Sequence, residues 1–255
     1  MPATPDLPQV RALVLAAGRG ERMRPLTDSC PKPLLEVHGQ PLAQWWVQAL
    51  RAAGVAHIII NTGWLGEMVE DHFRRLPQPA GAAPISFSSE ARDFGHALET
   101  AGGVARALPL LAPDAGGMFW VIAGDVFAPG FTPDSDAVRR FAASDDLAHL
   151  WLVPNPPHKA RGDFGISAGG RATLDGPLHT FSGIALYRRA LFEAPWCDIA
   201  PSNPQGVSAP LAPLLRRAIA AGRAGATLYT GAWNDVGTPE RLEAARRSTP
   251  ATMPA

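Results

Sequence analysis

Four short strand-like runs, Val10–Ala17, His57–Asn61, Ile85–Ser89 and Met118–Ala123, recur along the first half of the chain with helical patterns between them. The first, second and last are nearly continuous in apolar residues, as in strands buried on both faces. The intervening patterns are Pro41–Ala53, stopped by Gly54, then Trp64–Leu76 and Leu98–Leu111. Strands alternating with helices across short connections predict a Rossmann-like, doubly wound, mostly parallel α/β sheet with helices on both faces.

The texture changes after Ala148, where AHLWLVP, DFGISAGG and TFSGIALYR follow with few helices between them. A small mixed-sheet subdomain fits that stretch. Pro195–Pro210, rich in Pro, Ser and Asn, reads as a surface loop. Helices at about Leu211–Ala221 and Pro239–Arg247 close the chain. The sequence thus divides into a flexible N-terminus over 1–9, a single domain over 10–248 and a frayed tail over 249–255.

Composition excludes several classes of partner. Of 255 residues 46% are hydrophobic, enough for a sizeable core, and 23 basic side chains cancel 23 acidic ones. No overall field therefore draws the chain to nucleic acid or to an anionic membrane. No uncharged apolar run approaches the roughly 20 residues of a membrane helix, and the first ten residues lack a signal-peptide pattern. Cys30 and Cys197 stand alone, without metal-type spacing. A reducing, cytoplasmic setting is expected.

The segment after the first strand, LAAGRGERMRPLTDSCPKP over 15–33, carries the most chemistry. It follows a strand's carboxyl end, where α/β sheets bind ligands. Ala16, Ala17, Gly18 and Gly20 let a phosphate or flat base approach the backbone, and Arg19, Arg22, Arg24 and Lys32 bring cations to it. Met23 stands where a dinucleotide fold wants its third glycine, and the Gly-Lys-Ser/Thr of a P-loop is absent. Pro31 and Pro33 bracket Lys32, a rigid mount for a lysine that meets developing phosphoryl charge. Taken singly, each residue could equally belong to a solvated turn.

The run Ala16-Ala17-Gly18-Arg19-Gly20-Glu21-Arg22, followed by Pro31-Lys32-Pro33, resembles the signature of the sugar-phosphate nucleotidylyltransferases, and the resemblance extends from Arg11 to about Ala245. It implies a GT-A-like nucleotidyltransferase fold whose glycine loop holds a nucleoside triphosphate. Arg22 would contact its phosphates and Lys32 the α-phosphate under attack. The parts would be a nucleotide-binding 10–147, a sugar-binding 148–232, and a metal turn with closing helix over 233–248. Two anionic partners must meet, so Mg²⁺ held by protein carboxylates is implied. Asp125, in a Gly-Asp pair after MFWVIA, and Asp235, in Asp235-Val236-Gly237-Thr238, match the family's metal-binding aspartates and, with Lys32 and Arg22, its catalytic set. Plain readings exist: a turn aspartate at Asp125, a helix-start residue at Asp235.

Glu90 falls where relatives read the edge of the base, although an ordinary exposed glutamate is the equal alternative, and Ala91–Ala97 is longer than the pattern expects. Leu98-Glu99-Thr100-Ala101-Gly102-Gly103 resembles a branch that includes N-acetylmuramate 1-phosphate uridylyltransferases and similar heptose or mannose 1-phosphate enzymes, or else simply starts a helix. Gly103 would then face the nucleotide and Glu99 the sugar. Asn155-Pro156-Pro157-His158, Gly162-Asp163-Phe164 with Gly165, and Phe181-Ser182-Gly183-Ile184 agree with the same branch. They offer Asn155, Gly165 and Ser182 as sugar contacts and Trp233 as a wall. Their plain readings are a turn and core packing, and Trp45 and Trp46 read as packing. Lys159 takes the place of a second histidine.

The resemblance implies UTP and N-acetylmuramic acid α-1-phosphate as substrates, a setting in cell-wall peptidoglycan recycling, and a monomer or weak homodimer. Mannose 1-phosphate with GTP, glucose 1-phosphate with dTTP or UTP, and phosphocholine with CTP keep the chemistry and change the substrates. A silent nucleotide-sugar sensor and an NAD-binding oxidoreductase are rivals of other classes. Intact Lys32, Asp125 and Asp235 oppose the first, and the missing third glycine opposes the second.

Overall fold

The computed structural model describes residues 10–248; the segments 1–9 and 249–255, expected to be mobile, lie outside the described residues. The first half runs β1 (Arg11–Ala16), α1 (Leu26–Ser29), β2 (Glu36–Val37), β3 (Gln40–Pro41), α2 (Leu42–Ala52), β4 (Ile58–Thr62), α3 (Gly66–Arg75), β5 (Ile85–Ser89), α4 (Glu90–Phe94), α5 (Glu99–Leu111) and β6 (Met118–Ala123). The second half runs β7 (Val126–Phe127), α6 (Ser135–Ala142), β8 (Ala148–Val153), β9 (Phe164–Ile166), β10 (Ala172–Thr173), β11 (Leu178–Arg188), α7 (Ala212–Ala220), β12 (Ala224–Leu228), β13 (Asn234–Asp235) and α8 (Pro239–Arg247).

β1 lies between β4 and β6, parallel to both, and β5 extends the sheet parallel to β4. Period-two alternation sends Leu13, Ile59 and Val121 to one face, against Val104 and Leu108 of α5. Val14, Ile58, Ile60 and Ile122 face the other way, against Trp46, Val47 and Leu50 of α2 and Val69 and Phe73 of α3. Ile58, Ile59 and Ile60 are fully buried, each stabilising by about 1.5–3 kcal/mol. That two-sided burial is why these runs are apolar throughout. It also aligns the carboxyl ends of β1, β4 and β6 along one edge, where the loops that follow can share a ligand.

The mixed part after Ala148 extends this same sheet. β11 runs antiparallel to β6 and to β8, and β12 pairs parallel with β8, giving nine strands in all. The β11–β8 register shifts between Phe181 and Ile184, a bulge at which Gly183 takes φ +81°.

One segment went unassigned in the sequence and another differs from expectation. Ser135–Ala142 is a helix capped by the Asp134 side chain, which accepts from Ala137 N–H at 2.6 Å. Its buried face is Ala137, Val138 and Phe141. Pro195–Pro210 is not merely a surface loop. Asn203 is fully buried and donates to the carbonyls of Gly102 and Val207 at 3.1 and 2.8 Å. The Ala209 carbonyl accepts from Ala101 and Gly102 N–H. The segment therefore satisfies backbone donors that the first turn of α5 leaves open.

Candidate active site

The glycine loop after β1 is held from below. Gly20 sits at φ +67°, a left-handed conformation that costs a side-chain-bearing residue. Its carbonyl accepts from buried Thr27 Oγ1 at 2.8 Å. Arg19 stacks over Trp64, 3.5 Å from the ring centroid, and donates to the Thr27 carbonyl and to Asp28. Arg24 also pairs with Asp28, at 2.9 Å. Of the four cations in this loop, then, Arg19 and Arg24 are tied to the loop itself. Arg22 and Lys32 line a cleft of about 610 Å³ together with Ala16, Ala17, Gly18, Gly20 and Asp125. Arg22 has no hydrogen bond or ion pair among the described residues, and its guanidinium lies beside Gly237.

Lys32 begins a short 3-10 turn and its side chain is only 11% exposed. Its ammonium pairs with the Asp125 carboxylate. Asp235 reaches the same edge through a two-residue ladder: β13 runs antiparallel to β7 with Asp235 opposite Val126, and Val236 N–H donates to the Asp125 carbonyl at 3.0 Å. The Asp235 carboxylate accepts from Arg241 at 2.8 Å on both oxygens and faces His158 Nε2 at 3.1 Å. The ladder thus pairs the backbones of two aspartate-bearing segments 110 positions apart in sequence, and each carboxylate faces a cation. Among the described residues no cluster of three or more His, Cys, Asp or Glu forms. Two hard carboxylates, partly open, are nevertheless what Mg²⁺ needs when phosphates complete its shell. The donor set fits that ion.

Glu90 lines the cleft together with Asn61, but its carboxylate is already occupied inside the protein rather than exposed. It is fully buried, and its oxygens accept from Asn61 Nδ2 and from Leu98 N–H, each at 2.7 Å. Asn61 Oδ1 in turn accepts from Ala16 N–H at 2.7 Å. Burial pushes the Glu90 carboxyl above its ordinary value, although the Leu98 and Asn61 bonds oppose this. The longer Ala91–Ala97 segment holds the rest of α4 and the return that brings Leu98 to this carboxylate. Gly103, expected to face the nucleotide, lies behind Glu90 and Asn61 and does not itself line the cleft. It faces the Glu90–Asn61 pair from α5, where a Cβ would lie 2.5 Å from Glu90 Oε1. The sequence reading missed Asn61, whose only signal is a polar residue ending an apolar strand.

A second cavity, of about 520 Å³, adjoins the first and shares Leu15, Glu99, Thr100 and Ala123 with it. Glu99 stands at the junction with φ +54°, a left-handed conformation rare for glutamate and a mark of functional sites. The other expected sugar contacts line neither cavity. Asn155 spends its amide on the carbonyls of Ala160 and Leu178 and accepts from Thr180. Gly165 is buried where a Cβ would strike Thr173. Ser182 is buried at the bulge and donates to the Trp151 carbonyl at 2.6 Å. Trp233 donates to the Ser182 carbonyl and packs on the core. These four build the wall behind the site. Thr100, Lys159, Asp163 and Arg216 take their place in the lining.

A family model described as nucleotidyl transferase matches residues 11–173. Similar proteins include the N-acetylmuramate alpha-1-phosphate uridylyltransferase of Neisseria meningitidis serogroup B, 42% identical over 245 residues, which are 93% of this chain and 97% of that protein. The enzyme of the same description from Caulobacter vibrioides is 32% identical over 227 residues, 75% of this chain and 88% of that one. A putative glucose-1-phosphate thymidylyltransferase from Bacillus anthracis, solved in complex with a sucrose, superposes with a TM-score of 0.75 at 20% identity, covering 93% of this chain and 94% of that one. This last likeness bears on the fold alone. No helix among the described residues is long and apolar enough to cross a membrane.

Proposed function

The chain belongs to the nucleotidyl transferase family, and we propose that it joins UTP to N-acetylmuramic acid α-1-phosphate with release of pyrophosphate. The observation that carries the chemistry is the meeting of Lys32, Arg22 and Asp125 in one cleft, with the turn that holds Asp235 paired to the strand beside Asp125. The choice of base and sugar rests on the two uridylyltransferase relatives.

An oxygen of the sugar phosphate attacks the α-phosphorus of the triphosphate. The new phosphorus–oxygen bond forms as the bond to the β-bridging oxygen breaks, and the electron pair leaves on pyrophosphate. The attacking oxygen is already anionic, so no general base is required. The loop N–H groups around Gly18 and Gly20 cradle the phosphates. Arg22, free of internal partners, binds them as well. Lys32 is held by its turn and by Asp125, so its charge needs little reorganisation to meet the charge growing on the α-phosphate. Asp125 and Asp235 would hold Mg²⁺, which when bound neutralises phosphate charge. Asn61, tied to Glu90, fixes the Ala16 N–H at the floor of the cleft. Glu99 and Thr100 meet the sugar at the junction of the two cavities. A cytoplasmic setting and a role in reusing cell-wall sugars suit these substrates, and a monomer suffices for this site.

Pyrophosphate release with Mg²⁺, measured over UTP, dTTP, GTP, CTP and ATP and a panel of sugar 1-phosphates, tests the reading. Release confined to UTP with the muramyl acceptor is expected. Another productive pair would keep the chemistry and replace the substrates. No release from folded protein that still binds nucleotide would overturn the proposal.

A further inference from the structure

The second cavity is built mainly of apolar walls, Phe164, Phe181, Leu211 and Leu215 among them, yet it contains more charge than a neutral sugar requires. Lys159 and Asp163 neutralise one another at 2.5 Å, and Asp163 also accepts from Phe181 N–H at 2.8 Å. Arg216, on α7, is different. It has no hydrogen bond or ion pair among the described residues, and its guanidinium lies 5.8 Å from the Phe164 ring centroid. Tyr187 lines the same cavity, and its buried hydroxyl lacks a hydrogen-bond partner among the described residues. An exposed arginine on a helix is ordinary. An uncommitted one beside the apolar walls of a cavity asks for a ligand group with acceptor atoms and negative charge.

We infer that Arg216 pairs with a carboxylate on the acceptor sugar, remote from its phosphate, and so selects carboxylate-bearing sugar 1-phosphates over neutral ones. The inference rests on the reading above, in which the phosphate end of the acceptor lies at the Glu99–Thr100 junction and the rest of the sugar extends into the second cavity. Glu99 lines both cavities and so sits at their shared end, whereas Arg216 lines only the second. A carboxylate reaching Arg216 is thereby separated from the nearest unpaired acidic side chain. The apolar walls would receive the methyl groups of an N-acetyl and a lactyl substituent.

The test compares N-acetylmuramic acid α-1-phosphate with N-acetylglucosamine α-1-phosphate, which lacks only the lactyl ether and its carboxylate. The preference is the ratio of their kcat/KM values with UTP. Arg216→Ala should lower that ratio by about 10- to 10²-fold, the scale of one charge-assisted hydrogen bond, with the loss falling on the muramyl KM. Arg216→Lys should restore part of it, and the melting temperature of both variants should stay that of the parent because the side chain is exposed. A ratio unchanged in Arg216→Ala, with muramyl turnover intact in the parent, would overturn this inference alone. A parent enzyme that ignores the muramyl acceptor yet uses a neutral sugar 1-phosphate would overturn the inference and the substrate reading together.

Discussion

Gly103→Ala is the most discriminating perturbation of the fold beneath the cleft. Helix propensity taken alone says the change stabilises, since alanine in a helix interior is favoured over glycine by about 1 kcal/mol. The packing says the reverse. A Cβ at Gly103 would lie 2.5 Å from Glu90 Oε1 and 3.0 Å from Asn61 Nδ2, against the 3.4 Å at which ordinary contact begins. Neither neighbour can swing aside cheaply. Glu90 is held by Asn61 and Leu98, and Asn61 is held by Ala16, each bond 2.7 Å long. Displacing Glu90 strands one or both of its donors in the interior, at about 1–3 kcal/mol apiece. Less the propensity gain, the net loss is about 0–5 kcal/mol. For a chain of this size that lowers Tm by roughly 2–4 °C per kcal/mol. Urea unfolding at neutral pH reads the sign directly. In a Glu90→Ala background the closer contact is gone and Asn61 Nδ2 loses the carboxylate that holds it, so the same substitution should cost less than in the parent, a coupling that a double-mutant cycle reports. A Gly103→Ala protein more stable than its parent would refute the account of this network.

Other expectations concern the chemistry and acid stability. Lys32→Ala should lower kcat by about 10²–10³ while nucleotide still binds; turnover within a few-fold of the parent would remove Lys32 from the mechanism. Asp125→Asn and Asp235→Asn should each weaken activation by Mg²⁺ in a titration, the second without loss of fold because Arg241 can still bond the amide oxygen. Chelation with EDTA should stop pyrophosphate release, and added Mg²⁺ should restore it. Glu70 supplies a pH test. Its burial raises the carboxyl pKa, but bonds from Ser89, Arg74 and Thr62 and the charge of Arg92 outweigh this, leaving it below the ordinary 4.5. A depressed folded value means stability present above pH 4.5 and lost as pH falls through the lower value. The stability gap between the parent and Glu70→Gln should therefore be widest near neutrality and narrow in acid. An equal gap at both ends would contradict the assignment.

The residues that sequence could place are those whose neighbours in space are also neighbours in the chain. The apolar run of β1 and the loop that follows form one continuous text, and Gly20, Thr27 and Lys32 contact one another within it. The helix α6 carried an equally local signal in Asp134 and the spacing of Ala137, Val138 and Phe141, yet the reading of the sequence passed over it. Glu90 was not. Whether a glutamate ending a strand meets a base or the interior depends on Asn61, 29 residues earlier, and on the return of the chain at Leu98. Asn155 and Ser182 carry the right polar atoms for a sugar, but distant carbonyls at Leu178 and Trp151 occupy them. Arg216 has no local pattern at all; only the docking of α7 beside β9 gives it a cavity to line.

The β7–β13 ladder has a consequence for the order in which competence is acquired. Met23 and Leu35, beside the glycine loop and the Lys32 turn, share a buried core with Val236, Leu242 and Ala245, so a chain that has emerged only as far as β6 and β7 lacks part of the packing behind the nucleotide loop. Asp235 arrives more than a hundred residues later, and closing so long a loop is slow relative to local folding. Binding and turnover should therefore mature together. In refolding, nucleotide protection and catalysis should recover in one phase, set by the time the last strand takes to find its partner.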